Sequence, residues 1–431
     1  MEQLLEAELV GASGANGISI WRSPVAWLME KKLSPAYWTF FSVEFFFDFG
    51  FSLYFFLFSL YLVDLHFTER TIGLVGGAVT LGSVAGTLPA GWLAHKIGLR
   101  PLLVFSMTAA PLLGVARVLV TWEPAQVVLA FLAGLAMCLW AVCYLPALAR
   151  LTTAENRASA FSINFSLSIV AGALGGLVCG YLPHLLKIAG YALPAADVKR
   201  LILLGACGIA AIGVFPLLRL RLPSQVSEPR AQDKSGKQPW KMNPFLLRFL
   251  PSMALWTAVL ASFSPFANVY LTRDLHISLS QIGLIFSAAQ AIQFCAGLLT
   301  PLVFRRLGLL NGIVATQVAT AAAIACLAAT HDRRLAVALY LSFSATQWMS
   351  SPGLYNLLMS KVPDEERSSA SAMTMFCNAL LQSCAMAGAG ILFAQFGYPP
   401  VLVGIAALAL AAALLFGCLV GPAARGALAQ P

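Results

Sequence analysis

The sequence predicts an all-α polytopic membrane protein: twelve transmembrane helices arranged as two six-helix bundles with pseudo-two-fold symmetry. Three observations predict it. The chain is 59% hydrophobic and only 10% charged, with a mean hydropathy of +0.81, whereas soluble domains carry about a quarter charged residues. Its apolar residues gather into twelve stretches, each long enough to cross a bilayer, which takes roughly 20 residues. The second half of the chain also repeats the first.

The repeat has one constant offset of 210 residues. Residues 64–66 and 274–276 are both Asp-Leu-His, and residues 72–74 and 282–284 are both Ile-Gly-Leu. Gly98 likewise returns as Gly308. Matches that keep one register across separate segments indicate two copies of one unit, a pattern typical of transporters built from repeated bundles.

Each apolar stretch is predicted to be a helix, because backbone polar groups in lipid must be satisfied within their own segment. The expected spans are 38–63, 72–94, 101–121, 125–147, 159–182, 200–219, 249–271, 281–304, 309–330, 335–358, 369–394 and 399–421. They divide the chain into a cytoplasmic N-terminal segment (1–37), a first bundle (38–219), a basic cytoplasmic linker (220–247), a second bundle (248–421) and a cytoplasmic tail (422–431).

The distribution of the net charge of +9 indicates the orientation of the chain in the membrane. Lys and Arg concentrate in the loops on the side of the N-terminus and the linker, as the positive-inside rule requires of cytoplasmic loops. We therefore expect a multi-pass protein of the cell (inner or plasma) membrane with both termini in the cytoplasm. Its partners are the lipid bilayer and a small-molecule substrate rather than nucleic acid, and a monomer is expected to suffice.

Enzyme, metal and nucleotide functions have no support in the sequence. The nine cysteines show no Cys-x-x-Cys spacing, and the five histidines fall in loops or at span ends, so no metal or redox site is expected. A phosphate-binding Gly-x-x-x-x-Gly-Lys-Ser/Thr loop is missing as well. We expect neither a cofactor nor catalysis.

Polar stripes mark corresponding helices of the two repeats. They comprise Asn164, Ser168 and Gly172 in the fifth span, Thr374, Asn378 and Gln382 at the same positions plus 210, and Gln290 and Gln293 in the eighth span, which correspond to Thr80 and Ser83 in the second. Polar groups are costly in lipid, so these faces are expected to line a central cavity that binds substrate. Hydrogen bonding between helices is the alternative.

The first span holds Glu44 and Asp48, the two acidic residues that fall inside any span. Each ionised carboxylate at mid-membrane is disfavoured by roughly 2.5–3.5 kcal/mol, and their i, i+4 spacing puts both on one helical face. Such a pair is expected to share protons, so both are candidate proton-coupling residues. Glu44 could alternatively reach interfacial water or a basic partner. Arg117 is expected to extend to the outer surface rather than pair with Asp48.

Further candidate substrate-binding residues are aromatic or polar side chains of the inward-facing spans. They are Phe51 and Phe55 in the first span, Trp140 and Tyr144 in the fourth, Trp256 in the seventh, and Gln347 in the tenth. Closely spaced glycines in the second and fifth spans, at 82 and 86 and at 172, 176 and 180, indicate close helix packing.

The loop after the second span resembles the signature loop of the major facilitator superfamily, Gly-x-x-x-Asp-Arg/Lys-x-Gly-Arg-Arg/Lys. Gly91, Lys96, Gly98 and Arg100 match it, while His95 stands where the family usually has Asp. The resemblance implies two six-helix bundles around one central cavity and alternating access by rocking of the halves. It also implies that these five residues form an inner gating latch. His95 cannot supply a fixed anion, so the latch is either altered and pH-sensitive or tolerates the change.

The function expected from these observations is secondary active transport of a small organic solute, coupled to protons. Efflux of an amphipathic or cationic compound is preferred, because the predicted cavity offers net acid and many aromatic rings. Proton-coupled uptake of a nutrient or metabolite is one alternative. A non-transporting membrane receptor on the same fold is another, since fold does not fix function.

Overall fold

The computed structural model describes residues 33–153, 156–190, 194–220, 244–330, 332–362 and 367–421. The N-terminal segment, most of the linker and the tail lie outside these residues. Twelve helical segments follow in chain order: α1 Pro35–Asp64, α2 Glu69–Ile97, α3 Leu99–Leu119, α4 Glu123–Arg150, α5 Arg157–Ile188, α6 Ala195–Ile212 continued by Val214–Arg219, α7 Pro244–Phe263 continued by Ala267–Arg273, α8 Leu279–Leu307, α9 Leu309–Ala329, α10 Arg333–Lys361, α11 Arg367–Phe396 and α12 Tyr398–Leu415.

Ten of these twelve segments are long and apolar enough to cross a membrane. The prediction of twelve spans is confirmed to that extent. The other two are α2 and α10, each 29 residues long. In α2, the side chains of Leu88 and His95 are outside the described part of the chain. In α10, the apolar character is diluted by Ser342, Ser344, Thr346, Gln347 and Ser350.

The backbone carries the repeat as clearly as the sequence does. His66 and His276, which are 210 residues apart, both have positive φ, at 62° and 50°. Gly98 and Gly308 do too, at 88° and 79°. The first pair ends the turn after α1 and after α7, and the second joins α2 to α3 and α8 to α9. Positive φ is uncommon for residues with a Cβ, so its recurrence shows that both halves use the same turns.

Helix α7 differs from the single span predicted over 249–271. It is interrupted by a 3₁₀ turn at Ser264–Phe266 and resumes at Ala267. Pro265 explains the break, because proline lacks the N–H for a helical hydrogen bond and its ring clashes with the preceding turn. The break places Ser264 and Pro265 at the wall of the central cavity.

Short connections make consecutive helices antiparallel within each half, so the bundle has two ends, named here after the first and last residues of α1. Within the first half, α1 packs on α5 and α6, and α4 packs on α2 and α3. Within the second, α7 packs on α11 and α12, and α9 packs on α10 and α12. The halves meet through α2 against α11 and α5 against α8. These two contacts are equivalent in the repeat, because α2 corresponds to α8 and α5 corresponds to α11.

The contacts between the halves gather at the Asp64 end. Gly73 of α2 meets Gly390 of α11, and Gly283 of α8 meets Gly180 of α5, so closely that a Cβ on either partner would come within about 3.2 Å of backbone across the interface. An ion pair joins Arg273 to Glu69 at 2.5 Å. The remaining links include hydrogen bonds from Asn268 to the Phe56 carbonyl, Ser287 to the Ala173 carbonyl and Ser383 to the Gly77 carbonyl. These contacts close the molecule at the Asp64 end.

Candidate functional site

A cavity of about 730 Å³ lies between the two halves. Eight helices contribute to its walls, and the sequence-predicted residues on those walls are Asp48, Phe51, Phe55, Trp140, Ser168, Gln290 and Gln382. A second cavity of about 380 Å³ adjoins it on the side of the second half. That cavity shares Gln382 with the first and adds Gln293 and Gln347.

Asp48 lies in the middle of α1 and faces the central cavity. It is half-buried, and its Oδ2 accepts a hydrogen bond of 2.5 Å from Ser168 Oγ on α5. No Lys or Arg of the described residues forms an ion pair with it. Asp48 is therefore a carboxyl group on the cavity wall that has a hydroxyl donor and, within the described part of the chain, no basic partner.

Glu44 lies one turn nearer the Pro35 end but outside the cavity wall. It is 1% exposed, and its Oε1 accepts a 2.6 Å hydrogen bond from the Tyr144 hydroxyl. Its Oε2 has no hydrogen-bond partner, although Asn164 lies beside it. Neither the interfacial water nor the basic partner considered from the sequence applies, because the side chain is enclosed within the first half and the described residues offer it no cation.

Aromatic side chains separate Glu44 from the cavity. The ring of Tyr144 stacks with those of Phe40 and Trp140, with centroids 6.0 and 5.6 Å apart. Behind Glu44, the Tyr37 hydroxyl donates to Asn164 Oδ1 at 2.7 Å. Four residues along a helix of 3.6 residues per turn rotate by about 40°, which is enough to turn Glu44 into the bundle while Asp48 faces the cavity.

Four candidate substrate-binding residues are outside both cavity walls. Tyr144 and Asn164 belong to the buried network around Glu44, Trp256 is 2% exposed, and Asn378 is half-buried. The polar stripes thus divide: Ser168 and Gln382 face the cavity, whereas Asn164 and Asn378, one turn nearer the Pro35 end, do not. The 40° offset between i and i+4 positions again accounts for the difference.

The prediction that Arg117 extends to the surface is wrong. It is 4% exposed, lines the central cavity, and stacks its guanidinium carbon 4.2 Å from the centroid of Phe58. Helical side chains lean toward the N-terminus of their helix, and α3 begins at the Pro35 end. The Arg117 side chain therefore extends toward the Pro35 end and into the bundle, although its Cα is near the Asp64 end.

Charge in the central cavity differs from the predicted net acid. Among its described wall residues the two charged ones are Asp48 and Arg117, because Glu44 is outside the wall. The wall also includes polar residues that sequence reasoning missed, namely Ser52, Ser59, Ser264 and Asn268. Ser52 and Ser59 could have been found from their seven-residue spacing, which returns to the same helical face after about two turns.

The predicted gating loop lies at the Pro35 end. Gly91 has open space around it, Lys96 Nζ lies 4.9 Å from the centroid of the Trp92 ring, and Arg100 donates to the Leu218 carbonyl. The positive φ of Gly98 makes the turn. The side chain of His95 and residues 363–366 before α11 are outside the described part of the chain, so the latch remains a prediction.

Cysteine labelling is expected to separate the two kinds of stripe residue. In a cysteine-free background, Ser168→Cys and Gln382→Cys should react with a small aqueous thiol reagent at least about tenfold faster than Asn164→Cys, because reaction needs an accessible thiolate. Leu203 is buried and Leu410 lies on the all-apolar α12, so cysteines there serve as unreactive controls. If cysteines at all five positions are equally unreactive, the stripe residues serve only in packing between helices.

Comparison with known proteins covers most of the chain. The sequence profile described as Major Facilitator Superfamily matches residues 40–386, and no curated protein matches. Similar solved structures include the nucleoside transporter NupG, at 16% identity with a TM-score of 0.73, covering 90% of this chain and 99% of that one. The D-xylose-proton symporter has 15% identity and a TM-score of 0.70, covering 89% and 97%. A bacterial homolog of the human lysosomal transporter Spinster has 13% identity and a TM-score of 0.64, covering 90% and 94%.

Proposed function

Because this chain belongs to the Major Facilitator Superfamily, we propose that it is a secondary active transporter that couples the movement of a small organic solute to protons. The observation that carries the proposal is the position of Asp48. It is an acid on the wall of the cavity between the halves, and no Lys or Arg of the described residues forms an ion pair with it. A carboxyl group in that position meets the solute and, as the halves rock, each side of the membrane in turn.

The coupling follows from the cost of charge in a dry cavity. An ionised carboxylate is disfavoured away from water, so Asp48 gives up its proton when the cavity is open and hydrated or when a solute group replaces the proton. Because Asp48 binds or releases its proton in step with the solute, each change of the carrier between its two open conformations couples solute movement to proton movement. Glu44 supports this as a second acid one turn away, because two neighbouring carboxyl groups disfavour simultaneous ionisation.

The solute is proposed to be amphipathic. Phe47, Phe51, Phe55 and Phe56 form much of one cavity wall, and Ser168, Gln290 and Gln382 supply hydrogen-bonding groups among them. Such a wall accepts a partly apolar molecule with a few polar groups. Efflux is the preferred direction for a molecule that can enter from lipid, and proton-coupled uptake of a nutrient is the alternative.

Topology is a separate prediction from the distribution of Lys and Arg. Reporter fusions after Val63 and after Gly397 should locate to the outside, and one after Arg230 to the inside. The Pro35 end would then face the cytoplasm, and the contacts between the halves at the Asp64 end would lie on the outer side. An outside signal at Arg230 would overturn this orientation.

Flux in proteoliposomes tests the proposed function. Purified protein is first screened for solutes that raise its melting temperature, and each hit is then followed across vesicles with an imposed pH gradient. Solute movement together with proton movement, absent from empty vesicles, is the expected result. Binding without any flux would favour a receptor on the same fold.

A further inference from the structure

Arg117 is a buried cation that has no carboxylate partner among the described residues. Its guanidinium lies over the face of Phe58, with Tyr54 at 5.9 Å, and Nε has no hydrogen-bond partner. Cation–π contact uses the faces of the rings and leaves the N–H donors in the guanidinium plane. No described carboxylate pairs with it. Burial of an unpaired charge is energetically unfavourable. An anionic partner is therefore expected to bind the guanidinium at some stage of the transport cycle.

Rocking of the halves does not bring Arg117 an acid from its own half. Asp48, Glu69 and Glu123 belong to the same bundle, and distances within a rigid bundle stay fixed as it moves. Glu69 is paired with Arg273, and Glu123 accepts a 3.0 Å hydrogen bond from Thr71. What does reach Arg117 is the contents of the central cavity, because Arg117 is part of its wall.

We infer that Arg117 binds an anionic group of the transported solute, so that the solute is an amphipathic organic anion or zwitterion. The inference rests on the proposed function and names the substrate class for the same cavity. A planar guanidinium with in-plane donors matches a carboxylate or phosphate in two parallel hydrogen bonds. Both anions share that chemistry, and the experiment separates them.

The cavity has room for the rest of such a molecule. Tyr54 and Phe58 lie six and ten residues beyond Asp48 on α1, which places Arg117 about 9–15 Å further toward the Asp64 end at 1.5 Å per residue. Phe51 and Phe55 line the wall between the two charges. Such a solute would place its anionic group at Arg117, its apolar body along these rings and a hydrogen-bond donor at Asp48.

Matched ligand pairs test the inference on the full-length protein. The probes are 3-phenylpropionate with 3-phenylpropanamide, phenylalanine with phenylalaninamide, decanoate with decanamide, and phenyl phosphate with phenol. The anion of at least one pair should raise the melting temperature of the parent, and its neutral or cationic counterpart should not. Arg117→Gln should weaken binding of that anion roughly tenfold or more, and Arg117→Lys should keep part of it. Arg200→Gln, at an exposed arginine of α6, is the control and should bind like the parent.

Three binding results would reject the inference: anions that bind no better than their counterparts, an Arg117→Gln variant with unchanged affinity, or no shift with any anion. Proton-driven flux of an amine or amide in both the parent and Arg117→Gln would also reject the anion inference, whereas the proposed transport function would stand. Anion binding that is lost in Arg117→Gln, with no flux in the parent, would keep the anion site and reject transport. A separate melting curve of each unliganded variant shows whether it has folded.

Discussion

Replacing Asp48 with Asn is expected to abolish proton-driven accumulation of solute and to leave a correctly inserted protein. Asn keeps the size of the side chain and can still accept a hydrogen bond from Ser168, but it cannot exchange a proton. Under an imposed pH gradient, the accumulation ratio should therefore fall to the value reached without a gradient. Solute exchange between the two sides can continue, because exchange needs no net proton movement.

Glu44→Gln is the matched comparison. Gln retains an acceptor for the Tyr144 hydroxyl and lies outside the cavity wall, so accumulation should fall less than in Asp48→Asn. Melting temperature and yield of both variants report on folding. If Asp48→Asn accumulates solute like the parent under the gradient, Asp48 is not the required coupling residue and the proposed mechanism fails.

Gly283→Ala is expected to slow transport about tenfold or more by opening the Asp64 end. The added Cβ would contact the Gly176 carbonyl and lie 2.9 Å from the Gly180 Cα, which are both backbone and cannot rotate away. Overpacking of this kind costs about 1–3 kcal/mol. The cost falls on the conformation in which the halves touch there. The equilibrium ratio of that conformation to the conformations open at the Asp64 end should therefore drop by roughly 5- to 150-fold.

Gly297→Ala provides a control on the same helix, since a Cβ at that position meets open space. Transport rates are compared in proteoliposomes, and the distance between spin labels at Thr121→Cys and Thr330→Cys reports on the Asp64 end. A lengthened distance is expected for Gly283→Ala and an unchanged one for Gly297→Ala. Equal transport by the two variants would mean that this contact does not limit the cycle.

Most of the fold follows from the sequence, because lipid imposes simple rules on it. Length and hydropathy define the helices, and the 210-residue offset correctly anticipates equivalent turns at Gly98 and Gly308. Hydropathy does not predict the break in α7, because it takes no account of the missing N–H of Pro265. Its effect on the backbone depends on whether neighbouring helices accommodate a kink or a turn.

The site is less predictable, since it depends on rotation and side-chain direction. Sequence spacing places Glu44 and Asp48 on one face, but a 40° difference decides which of them meets the cavity. The sequence position of Arg117 gives the depth of its Cα but not that of its guanidinium, because the side chain extends toward the start of α3. Both errors have geometric causes that a one-dimensional pattern does not contain.

The polar face of α10 bears on how the growing chain enters a bilayer. Its Ser350 and Thr346 hydroxyls bond to Thr316 and Thr320 of α9, at 2.7 and 2.9 Å. Leaving the translocation channel alone, α10 would present those hydroxyls to hydrocarbon. Synthesis order resolves the difficulty, because α9 emerges immediately before α10. The two helices are suited to insert together as a hairpin whose polar groups are already paired.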